Sequence, residues 1–179
     1  MKGVFWGCLL ILINLTIITG RYPIALLGSC AGCIILIIEL RKLIEKSNEF
    51  RNARNLSVLL ALDIIIAAVF GRLRVEYGYL LDGMDLVDAV ITAILQILVL
   101  KMITAGIRDM EEQHRLYLGG TELVRAWKWL AVFQVITLLS MIIPIFPTFT
   151  EVLAVAMSLI FLLELKRVTR NFQEWEECR

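Results

Sequence analysis

Residues 86–106 read LVDAVITAILQILVLKMITAG and are apolar at all but a few positions. A run near ~20 apolar residues is what a helix needs to cross the ~30 Å hydrocarbon core of a bilayer. The polar exceptions are ordered. Asp85, just ahead of the run, and Asp88, Thr92 and Gln96 within it are spaced 3, 4 and 4 apart. On a helix they fall within ~80° of circumference. Such a stripe lines either a solute path or an interface with neighbouring helices, and aspartates at a helix start also favour its dipole.

Working outward, the same kind of run recurs at 3–20, 23–40, 56–71, 123–144 and 148–165. These six segments predict an all-α, polytopic integral membrane bundle, forming a single domain over 1–179. Segment 56–71 is short and carries Asp63, so a tilted or re-entrant helix is the alternative there. The run from Val4 to Ile18 follows one basic residue, Lys2, and no small-x-small cleavage site comes after it; we read it as a retained first span.

Gly20-Arg21-Tyr22-Pro23 and Pro144-Ile145-Phe146-Pro147 break the first and last pairs of runs. Proline and glycine end helices, and connections this short require antiparallel neighbours. The six spans are thus expected as three hairpins. The links 41–55 and 107–122 are long and charged.

Basic residues orient the hairpins. Of the 18 lysines and arginines, all but Arg21, Arg72 and Arg74 lie at the N-terminus, in the two long links with their flanks, or in the tail. This bias predicts a multi-pass protein of the cell membrane with both termini in the cytosol. The chain is 59% hydrophobic with formal net charge +1, which gives no support to nucleic-acid binding. Its mean hydropathy of +0.80 points the same way.

The even spans carry their helical pattern past the membrane. Leu40, Leu43, Ser47 and Phe50 are spaced i, i+3, i+7, i+10. So are Leu100, Ile103, Ile107 and Met110, and so are Leu165, Val168, Phe172 and Trp175. Each set draws one apolar seam along a helix. The reading is of cytosolic helical segments at about 41–55, 107–122 and 166–177, too short to be stable alone. They either close a small bundle within one molecule or form a docking surface; Leu165, Val168, Phe172 and Trp175 are the candidate docking seam.

Inside the membrane, ionisable groups usually face the bundle interior. Counting ~1.5 Å per residue, Asp63 lies ~13 Å from the inner side and Lys101 ~10 Å from it. Asp63 and Lys101, with Glu39 and Glu164, are therefore expected to form a polar layer, with Asp63–Lys101 as its ion pair. Gly28 and Gly32 make a small-xxx-small pair suited to close helix packing.

Enzyme motifs are missing. The one histidine, His114, belongs to no His-Glu-x-x-His, and Gly-x-Ser-x-Gly is also absent. Cys30 and Cys33 share a helix face, but no second pair completes a metal site. No catalytic residue, metal or cofactor is expected. The function expected first is a non-enzymatic, self-associating membrane subunit that anchors or regulates a cytosolic or membrane protein partner through its helical extensions. The alternative is a small-solute transporter, substrate-binding subunit or ion channel with a polar path along the fourth span. An intramembrane enzyme stands third.

Overall fold

The computed structural model describes residues 1–17, 23–77, 82–142 and 147–177, and their side chains apart from those of 13–17, 23–27, 70–77, 82–86, 141–142, 147–148 and 151. Those residues form six helices: α1 (Lys2–Ile17), α2 (Pro23–Leu43), α3 (Asn48–Tyr77), α4 (Asp82–His114), α5 (Gly120–Ile142) and α6 (Pro147–Glu177). No strand occurs among the described residues. Prolines open α2 and α6, where a missing N–H costs nothing and the fixed φ suits the first turn. The expected turns at 20–23 and 144–147 fall largely outside the described residues.

Each helix packs on its neighbours in the chain, and α6 returns to α1, so the six close into a ring. Cross-helix pairs fix the register. Phe50 on α3 stands against Gly106 on α4, and Asp63 against Thr92. Both pairs fit one antiparallel alignment. Segment 56–71 lies within a continuous 30-residue helix.

The outer wall of the ring is apolar. Ile34 and Ile38 on α2, Leu62, Ile65 and Val69 on α3, and Val87, Ile91 and Ile94 on α4 are exposed. A soluble monomer rarely shows so continuous an apolar surface. Three helices are long and apolar enough to cross a membrane among the described residues: Asn48–Val69, Val87–His114 and Gly120–Ser140, with mean hydropathies of 1.6, 2.1 and 1.3.

The core sits at the end of the ring that carries the basic residues. Leu40, Phe50, Ile103, Ile107, Leu165 and Val168 are fully buried there. Two of the expected cytosolic segments are interrupted. Segment 41–55 is the end of α2, a turn, and the first two turns of α3. Ser47 causes the break: its Oγ accepts the Glu49 N–H at 3.1 Å, which makes it the N-cap of α3. Phe50 therefore belongs to α3, not to an extension of α2. Segment 107–122 likewise splits between α4, a turn with Arg115 at φ 51 and Gly119 at φ 97, and α5.

The α1–α2 contact depends on glycine. A Cβ at Gly32 would lie 2.9 Å from the Gly7 carbonyl oxygen and 2.9 Å from Ile11 Cγ1. Because one of these atoms is backbone, no rotamer change relieves the clash. Gly32→Ala should cost about 1–3 kcal/mol as an overpacked site. Thermal melts in detergent would reveal it; an unchanged melting temperature would show that α1 and α2 do not touch as described.

Candidate functional site

Four polar side chains from three helices meet midway along the ring. Thr92 Oγ1 on α4 donates to Asp63 Oδ2 on α3 at 2.6 Å. One turn further along α4, Gln96 Oε1 accepts from Gln134 Nε2 on α5 at 3.3 Å. Gln96 and Gln134 are only 2% and 4% exposed. Gln134 Oε1 is buried and has no hydrogen-bond partner. Thr137, one turn from Gln134, bonds the Phe133 carbonyl at 2.9 Å and faces the Thr150 carbonyl at 3.4 Å on α6. Ser140 and Thr150 are joined at 3.0 Å.

The burial pattern gives this cluster its meaning. On the basic side of it, the inward faces are sealed: Leu60 and Ile64 on α3, Ala93 and Gln96 on α4, Leu130 and Gln134 on α5, Ser158 on α6. On the other side, the inward positions of the same helices are half-exposed: Ala67 on α3, Ala89 and Asp88 on α4, Thr137 on α5, Ala154 on α6. Asp63 and Thr92 are both partly exposed. The described side chains thus place a polar cluster against a closed apolar core at the basic end.

The stripe expected on the fourth span thus contributes Asp88, Thr92 and Gln96 to one inward face. Asp85 lies on α4, but its side chain is outside the described residues. The expected Asp63–Lys101 ion pair is not formed. Lys101 is exposed, on the same side of α4 as exposed Ile94, one heptad away. Register explains the difference. With Asp63 opposite Thr92, moving nine residues along α4 to Lys101 matches moving nine back along α3, which reaches Arg54. Lys101 is therefore ~13 Å below Asp63 along the helix axis. The depth count failed because it assumed that both helices enter the membrane at the last charged residue.

The two glutamates do not join Asp63 either. Glu39 pairs with Lys42 at 2.5 Å on its own helix and lies against Gly3 of α1. Glu164 is 3.9 Å from Arg167, also on its own helix, with Oε2 buried and lacking a hydrogen bond. Four residues expected as one layer occupy separate positions.

The candidate docking seam is covered by the chain itself. Leu165, Val168 and Phe172 are buried, and Trp175 is half-buried. Lys46 Nζ sits 4.3 Å from the Phe172 ring centre and 5.5 Å from that of Trp175, and is bonded to Glu176 at 2.9 Å. The other two seams meet the third in the same core. Gly32 packs as expected of a small residue, against Gly7; Gly28 is half-buried.

Two features escaped the sequence reading. Glu111 Oε1, near the end of α4, accepts the backbone N–H groups of Leu118, Gly119 and Gly120 at 2.6, 2.7 and 2.9 Å. It caps α5 from outside the helix; nothing local signals a cap seven to nine residues upstream. Gly3 and Gly7 of α1 form a small-xxx-small pair facing α2, and their spacing was there to be seen. Among the described residues, Cys8, Cys30 and Cys33 are free thiols, and no three His, Cys, Asp or Glu side chains are grouped as a metal needs.

Comparison with protein-family models, curated proteins and solved structures found no match. The chemistry of the polar cluster therefore has to be read from its own residues. A half-exposed carboxylate with one hydroxyl donor retains acceptor capacity for a cation or a donor-rich solute. A buried amide oxygen without a partner adds a second acceptor nearby.

Proposed function

We propose that this chain is a non-enzymatic six-span membrane subunit that receives a small cationic, donor-rich solute from the non-cytosolic side. In this reading all six helices cross, the basic end is cytosolic, and both termini are on that side. The apolar outer wall and the bias of lysine and arginine support the topology.

One observation carries the solute reading: Asp63 and Thr92 are partly exposed and bonded to each other, while Gln96, one turn toward the basic end, is buried. An intramembrane carboxylate is expensive unless it faces water or a partner. In this reading the non-cytosolic end opens as a funnel with Asp63, held by a single hydroxyl, at its floor. With little water at the floor, its charge acts through a lower dielectric and attracts cations strongly. Asp88, one turn above Thr92 on α4, extends the negative field outward. Thr92 fixes the Asp63 rotamer, and Gln96 and Gln134 supply neutral acceptors below. Leu60, Leu100 and Leu130 are buried toward the basic end, and in this reading they close the path to the cytosol. Docking of a partner by the α6 seam is not favoured, since that seam is internal.

Cysteine accessibility tests this directly. Ala89→Cys, in the funnel, should react from outside with membrane-impermeant methanethiosulfonates, while Leu100→Cys stays unreactive. The cationic trimethylammonium reagent should react roughly ten times faster than the anionic sulfonate, because the field of Asp63 steers it. Adding Asp63→Asn should bring the two rates within about threefold of each other. The unsubstituted chain sets the background from native thiols. Equal rates for both reagents on Ala89→Cys, or no reaction, would refute the funnel.

A further inference from the structure

A second groove lies on the outer wall, between α2 and α3 at the basic end. It has a volume of about 480 Å³ and is lined by Ile37, Ile38 and Arg41 of α2 and Arg54, Asn55 and Val58 of α3. The two helices are antiparallel, and this sorts the lining. Arg41 follows the isoleucines by one turn, and Arg54 precedes Val58 by one turn. Both guanidinium groups therefore sit at the basic end of the groove and the apolar side chains at the other. The apolar wall continues along the exposed face through Ile34 on α2 and Leu62 and Ile65 on α3.

The charges here are not neutralised. Among the described residues neither arginine pairs with a carboxylate; Arg54 bonds only to Asn55 Oδ1, at 3.1 Å. The nearest acidic candidate on α2, Glu39, is taken by Lys42. Elsewhere at this end Lys46, Arg108, Arg167 and Arg170 have acidic partners, while Arg51, Lys101, Arg125, Lys128 and Lys166 have none among the described residues but line no groove with a second arginine. Two unpaired guanidinium groups beneath an apolar wall, at the end of a membrane-facing groove, match an amphiphile with a phosphate at one end and hydrocarbon at the other. Arginine suits that phosphate because its planar fork makes paired hydrogen bonds to the oxygens. Basic pockets between membrane helices on the cytosolic side recognise anionic headgroups in this way.

We infer that this groove binds an anionic phospholipid of the cytosolic leaflet, Arg41 and Arg54 holding the phosphate and Ile37, Ile38 and Val58 taking the first part of the acyl chains. The inference rests on the membrane topology proposed above, but not on the solute site. A zwitterionic lipid fits less well, since its ammonium group would meet the same two cations.

The test is lipid binding to the full chain in mild detergent, followed by native mass spectrometry and thermal melting. Phosphatidylglycerol should bind roughly tenfold more tightly than phosphatidylcholine and raise the melting temperature. Arg41→Gln with Arg54→Gln should remove that preference, and Arg41→Lys with Arg54→Lys should keep part of it. A control pair, Lys128→Gln with Lys166→Gln, removes two exposed charges at the same end and should leave the preference intact. An unchanged preference in the double glutamine variant, or an equal loss in the control pair, would overturn the inference. So would stabilisation by glycerol 1-phosphate alone, which would make the groove a soluble-phosphate site. Topology is read separately, by protease access to tags after residue 177 in oriented vesicles. A tag on the wrong side removes the topology, whereas lost selectivity with correct tags removes only the lipid site.

Discussion

Phe172→Ala will destabilise the whole bundle by about 3–5 kcal/mol, the usual cost of removing a buried aromatic ring from a packed core. Phe172 is 2% exposed and lies on the face of α6 that also carries Leu165 and Val168. Its ring takes Lys46 Nζ at 4.3 Å and Trp175 at 5.7 Å, so the loss includes a cation–ring contact as well as apolar burial. Cation–ring contacts that keep access to water add about 0.5–1 kcal/mol. Trp175→Ala, at a half-buried position, should cost less. Equilibrium unfolding in detergent, followed by circular dichroism, gives both values. The result separates two uses of one seam. A docking seam would tolerate the change and lose only its partner; a core seam loses stability with no partner present. A cost below about 1 kcal/mol would return the seam to the surface.

Glu111→Ala should cost about 2–3 kcal/mol, from three backbone donors losing one charged acceptor at a helix start. The first N–H groups of any helix lack partners within it, and a carboxylate there also meets the positive end of the dipole. Glu111 serves Leu118, Gly119 and Gly120 with a single oxygen. Asn171 Nδ2 of α6 holds the same turn by donating to the Leu118 carbonyl at 3.1 Å. Loss of the cap should therefore loosen the α4–α5 turn and its seat on α6 together. Amide hydrogen exchange at residues 118–120 should rise with the fall in melting temperature. Glu111→Gln keeps an acceptor oxygen without the full charge and should lose less than half as much. If the two variants lose equally, the charge is what matters and the geometry of acceptance is not.

Much of the fold was legible because helix and bilayer impose periods on a chain. The six apolar runs became six helices, and the polar stripe on the fourth run faces inward. The three seams were right in composition, since every residue in them except Trp175 is buried. Their connectivity was not, because a helical period does not reveal that Ser47 stops one helix and caps the next. The site was legible in part. Asp63, Thr92, Gln96 and Gln134 stood out as polar residues in apolar runs. Which of them would meet depended on how far each helix continues beyond the membrane. Lys101 was grouped with Asp63 by counting depth from charged residues, and a charge near a helix end does not fix the register of two helices.

Order along one chain thus determined what repeats at short range: where helices run, which face is apolar, and which end carries positive charge. These follow from side-chain spacing and from the energy of placing polar atoms in hydrocarbon, and both act locally. The partners of Asp63, the burial of Phe172, the cap given by Glu111 and the unpaired state of Arg41 and Arg54 were decided only in three dimensions. Each depends on the relative shift of two helices that are distant in sequence, and a shift of one turn is worth ~5.4 Å, enough to make or lose any hydrogen bond.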